Sequence, residues 1–168
     1  MSYQEKKTIV SIVTGLLILI AYFTYTYTKY QSGVVMEGDL KFWATAMLVF
    51  IAIGVAATVV IQIIFHILLS VAIAVQAKVK DENCDDEQIE RTIEMEMVSD
   101  EMDKLIELKS SMVGFGFAGA GFVLALLTLV FDYSPVIMLN IMFASFSIGS
   151  LLEGFTQLYF YRKGINHG

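Results

Sequence analysis

Four stretches of this chain are continuously apolar for about the length a helix needs to cross a bilayer, and nothing else in the sequence restricts the fold as strongly. They run from Thr8 to Tyr27, from Phe42 to about Ala77, from Met112 to Phe131 and from Pro135 to Tyr161. About 20 apolar residues cross ~30 Å of hydrocarbon, so spans are expected at about 8–27, 42–64, 112–131 and 135–160. The runs are unbroken rather than alternating, which points to helices and away from a barrel. Composition agrees: 57% of the residues are hydrophobic, against roughly 45–50% in a soluble domain. The expected fold is an all-α integral membrane protein forming one membrane domain over residues 1–168.

Lys6 and Lys7 before the first run imitate a signal peptide. The run is too long for that, ends in tyrosines and meets no small-residue cleavage site, so it reads as a retained span. Lysine and arginine placement then sets the orientation. Lys6, Lys7, Lys78, Lys80, Arg91, Lys104, Lys109, Arg162 and Lys163 fall on one side, and only Lys29 and Lys41 on the other. The positive-inside rule puts both termini and the segment between spans two and three in the cytoplasm. Most of the 17 acidic residues lie in that same segment, but the rule counts Lys and Arg rather than net charge.

The second run is too long for one span. From Phe42 to Ala77 it makes about 54 Å of helix, so the part after Gln62 is expected to project into the cytoplasm. An apolar helix in water needs a cover. The acidic segment supplies one: Ile89, Ile93 and Met97 fall at i, i+4, i+8 of a helix at about 86–98. Asp85 with Gln88 resembles its N-cap and N3 partner. Ser99 reads as a second N-cap, with Asp100 and Glu101 in the first turn of a helix that leads into span three. Residues 65–110 are therefore expected to form a helical cytoplasmic projection.

Polar residues recur every fourth position on two spans: Gly54, Thr58, Gln62, His66 and Ser70 on the second, and Ser145, Gly149, Glu153, Gln157 and Tyr161 on the fourth. Each set shares one helix face. The simplest packing turns both faces into the bundle, with Gln62, His66, Glu153 and Gln157 as a polar cluster near the inner rim. Glu153 is then either a structural contact to Gln62 or a serine, or a proton- or ligand-binding carboxylate. Asn140 lies on another face and is kept apart. Span three carries "GFGFAGAG", whose Gly114-x-x-x-Ala118 and Gly116-x-x-x-Ala120 spacings fit close helix packing within the bundle or between subunits.

No chemistry of the catalytic kind is legible. There is no Ser-His-Asp set, HExxH, CxxC or nucleotide loop, so neither an enzyme nor a cofactor is expected. Cys84 alone cannot form an internal disulfide. "DENCDDEQIE" lacks the spacing and sixth-position glycine of a calcium loop, so no metal is expected either.

At "SDEMDKLIELKSSMVGFGFAGAG" and "LLEGFTQLYFYRKG" the chain resembles a group of small, uncharacterised four-span bacterial membrane proteins. The matching residues are Asp100, Glu101, Asp103, Glu107, Lys109, Glu153, Gln157 and Tyr159. Genes of similar proteins often stand beside those of small helix-turn-helix regulators, and the resemblance implies a stress, immunity or signalling role. Two classes of function are weighed. One is an inner-membrane regulatory or interaction protein, homo-oligomeric, that uses Asp100, Glu101, Asp103 and Glu107 to meet a cytoplasmic protein rather than nucleic acid. The other is a small oligomeric transporter or channel working through Glu153 and its polar neighbours.

Overall fold

The structure is a computed structural model that describes residues 3–36, 38–80, 91 and 100–164. Among them there is no strand. The helices are α1 (Tyr3–Gln31), α2 (Leu40–Lys80), α3 (Glu101–Val130) and α4 (Pro135–Lys163). All four are long and apolar enough to cross a membrane, as in a multi-pass membrane protein. Their outward side chains agree: Leu17, Leu48, Phe115 and Phe155 are exposed, a surface that suits lipid rather than water.

The turn at residues 131–134 makes α3 and α4 antiparallel neighbours. Asp132 takes φ 60° there, a left-handed conformation that aspartate tolerates. Ser134 caps α4 by accepting from the Val136 N–H at 3.3 Å, and Pro135 follows in the first turn, where its missing N–H costs nothing.

Packing is tightest between these two helices. The α3 face made of Ile106, Ser110, Gly114, Ala118, Gly121 and Ala125 is buried against Ser145 and Gly149 of α4. A Cβ on Gly149 would stand 2.7 Å from the Gly114 carbonyl oxygen, and one on Gly114 would stand 2.9 Å from that of Gly149. Backbone touches backbone here, so only glycine fits at either position. One face of α4 thus receives α3; another receives α1, where Gly154 lies under Ile12 and Gly15 under Leu151. The far side of α1 carries α2, with Ile18 over Gly54. The sequence of neighbours is therefore α3, α4, α1, α2, with α2 touching α4 lightly.

Toward the end formed by Gln31, Leu40 and Pro135, Tyr22 anchors the three-helix contact. It is fully buried among Ala46, Met47, Phe50 and Phe143, and its hydroxyl donates to Asn140 Oδ1 at 2.9 Å. Toward the other end, the Tyr3 ring lies 5.9 Å from Phe65 and edge-on to His66. The start of α1 is thus level with Phe65, and α2 runs on past it. It was expected to end near Ala77 and continues to Lys80. The helix expected at about 86–98 lies outside the described residues.

One cap differs from expectation. The N-cap of α3 is Asp100, not Ser99. Asp100 Oδ1 accepts from the Asp103 N–H at 2.7 Å, and Asp103 Oδ2 accepts from the Asp100 N–H at 3.1 Å. That reciprocal pair satisfies two orphan donors at once, where a lone serine hydroxyl satisfies one.

The glycine contact makes a stability prediction. Gly149→Ala is expected to lower stability by about 1–3 kcal/mol, as overpacking does. Gly116→Ala, with open space around its Cβ, leaves stability unchanged or raises it, since alanine favours helix. Thermal unfolding of the detergent-solubilised variants by circular dichroism checks the contrast.

Candidate functional site

The first turns of α1 carry Gln4, Lys7, Thr8 and Ser11 at i, i+3, i+4 and i+7, which is one helix face. That face looks onto Gln62 of α2, Asp103 and Glu107 of α3, and Gln157 and Tyr161 of α4. Together these residues line a cup of about 230 Å³ at the end of the bundle. All four helices contribute to it.

Hydrogen bonds fix its walls. The Thr8 hydroxyl lies 2.9 Å from the Gln4 carbonyl and 3.1 Å from Gln157 Oε1, sharing its proton between them. Asp103, which closes the cap of α3, and Tyr161 of the last turns of α4 line the same cavity. Among the described residues, the Lys7 ammonium and the Glu107 carboxylate form no ion pair. The cup thus holds one cation, Lys7, and two carboxylates, Asp103 and Glu107, and among the described residues the ammonium pairs with neither.

The polar cluster expected from the two four-residue stripes comes apart in space. Gln62 and Gln157 both line the cup. Glu153 does not: it packs over Gly114 and accepts from the Ser111 hydroxyl at 2.7 Å, within the α3–α4 contact. His66 is exposed beside Tyr3 rather than near Gln157, because α1 stands between most of α2 and α4. Of the acidic candidates, Asp103 and Glu107 line the cup, while Asp100 and Glu101 are exposed at the start of α3. Of the small residues on α3, Gly114 and Ala118 are buried against α4, and Gly116 and Ala120 lie on the exposed side.

Lys7, Thr8, Ser11, Gln4 and Ser111 were not among the expected site residues. The spacing of the α1 set was a readable signal, since four polar residues on one face of an apolar helix are unlike their surroundings. Ser111 carried none, because every serine within a helix can bond its own backbone.

Two further cavities are apolar in character. One of about 770 Å³ lies between α1, α2 and α4, beside Met47, Phe50 and Phe143. The other, of about 550 Å³, lies near Tyr30, Trp43 and Asn140. Trp43 Nε1 and Ser110 Oγ are buried without a described partner, and both are shut off from solvent.

The Ser111–Glu153 bond separates two substitutions. Glu153→Gln keeps an acceptor for Ser111 and is expected to stay within about 0.5 kcal/mol of the wild type. Glu153→Leu strands the hydroxyl between two helices and is expected to cost about 1–3 kcal/mol. Unfolding midpoints in detergent measure the difference. Set against protein-family models, curated proteins and solved structures, the chain gives no significant match.

Proposed function

We propose that this chain is a regulatory or interaction protein of the bacterial inner membrane, with both termini in the cytoplasm, that meets a basic cytoplasmic partner through its acidic segment. The orientation rests on the lysine and arginine distribution. The cup end of the bundle is then the cytoplasmic end, and α2 beyond Phe65 belongs to a cytoplasmic projection. The homo-oligomeric state expected from the second small-residue face of α3, Gly116 and Ala120, is part of the same proposal.

One observation carries the reading: the acidic start of α3 is held to the bundle. Asp103 closes the capping box and lines one cavity with Gln157 and Tyr161 of α4, so Asp100 and Glu101 are exposed from a fixed platform. A partner that pulls on this segment acts directly on the α3–α4 pair. Exposed rim charges of this kind steer association and set specificity.

The alternative is a small oligomeric transporter or channel, and the polar cup speaks for it. Against it, the residues such a path needs are divided: Glu153 is engaged by Ser111 and His66 lies outside the cup.

Photo-crosslinking in living cells tests the choice. A crosslinker at exposed Lys104 is expected to trap one discrete partner, to lose it in Glu101→Lys and to keep it in Glu153→Gln. An unchanged band in Glu101→Lys, or no band, defeats the interaction reading. Proton or ion flux in proteoliposomes that is lost in Glu153→Gln decides for the transporter.

A further inference from the structure

We propose that the cup is a binding site for a small zwitterion, which places its anionic group on the Lys7 ammonium and its own ammonium on the Glu107 carboxylate. The argument starts from charge. Lys7 and Glu107 line one cavity, are opposite in sign, and form no ion pair with each other or with any other described residue. A metal cation would be drawn by Glu107 and Asp103 but opposed by Lys7. A simple anion would meet the reverse. Only a ligand bearing both signs satisfies both side chains, and ion-to-ion hydrogen bonds are the strong ones.

The remaining walls suit the same ligand. Asp103 Oδ2 accepts from the Asp100 N–H, which fixes that carboxylate in the wall as a second acceptor beside Glu107 for the ligand's ammonium. Gln157 Oε1 is taken by Thr8. The Gln4 and Gln62 amides keep both donor and acceptor capacity. A volume of about 230 Å³ corresponds to roughly eight waters at ~30 Å³ each. That accommodates the aminoethyl phosphate group or an amino acid.

The chemistry has two sources: the headgroup of an ethanolamine phospholipid at the membrane surface, or a free zwitterion in solution. The inference does not depend on a protein partner, because Asp100 and Glu101 lie outside the cup. No Lys104 crosslink in the wild type, or one unchanged in Glu101→Lys, with zwitterion binding retained, defeats the partner reading alone.

The experiment uses the full chain in detergent. Native mass spectrometry follows retention of ethanolamine, choline and glycerol phospholipids offered in equal amounts. Calorimetry follows titration with O-phosphoethanolamine beside phosphocholine, whose quaternary nitrogen cannot donate to Glu107. Lys7→Gln and Glu107→Gln are each expected to weaken binding about tenfold, one charge-assisted contact's worth, with unchanged unfolding midpoints as the folding control. Preferential retention of the ethanolamine lipid, lost in both variants, assigns the lipid source. Saturable binding of O-phosphoethanolamine without lipid preference, likewise lost, assigns the free one. Equal retention of all three lipids with no calorimetric binding overturns the proposal. So does binding that both variants keep.

Discussion

The backbone contact between Gly114 and Gly149 is the constraint on which the rest of the bundle depends. Lipid tails are as apolar as leucine, so helices in a membrane gain little by hiding side chains from their solvent, and close approach with good van der Waals contact has to replace that gain. Two carbonyls facing two missing Cβ atoms permit such an approach. Once α3 lies this near α4, Ser145 is pressed against Gly121, and Ser111 comes within reach of Glu153. Further along the same pair, Tyr161 and Asp103 line one cavity. The hydrogen bonds lock a register that the glycines allow.

This arrangement also explains a glutamate deep in a helix that otherwise looks built for lipid. Glu153 Oε1 accepts from Ser111 across the helix pair, and the side chain sits over Gly114, whose missing Cβ leaves it room. The polar residues one turn further along do something different. There the four helices reach the end of the bundle and their polar faces meet around a cup rather than a dry joint. One helix face of α4 therefore passes from packing surface to cavity wall within a few residues, Gly149 and Glu153 belonging to the first and Gln157 and Tyr161 to the second.

Much of this was legible before any fold was known, and the misses have specific causes. The four helices follow from run length, and the start of α4 from the run that begins at Pro135. The cap of α3 was placed one residue early, because Ser99 and Asp100 are both good caps and only reciprocal geometry with Asp103 separates them. Gly114 and Gly116 were equally plausible packing residues. They lie on different faces of the same small-residue helix, and spacing alone does not say which face turns toward α4. His66 stands beside Tyr3 of α1, outside the cup that Gln157 lines.

What the sequence by itself determined about this protein is the set of membrane-length helices among the described residues: their approximate ends, their apolar outer surfaces and the polar residues near one end. These are properties of segments, governed by hydrophobic length and local capping, and no neighbour is needed to establish them. What only the tertiary structure decided is the company each polar residue keeps: Glu153 with Ser111, Gln157 with Thr8, and Lys7, Asp103, Glu107 and Tyr161 around one cup. The reason is rotational. In a helix with small residues on more than one side, close packing on a neighbour selects the buried face, and that choice is absent from the sequence of any one helix taken alone.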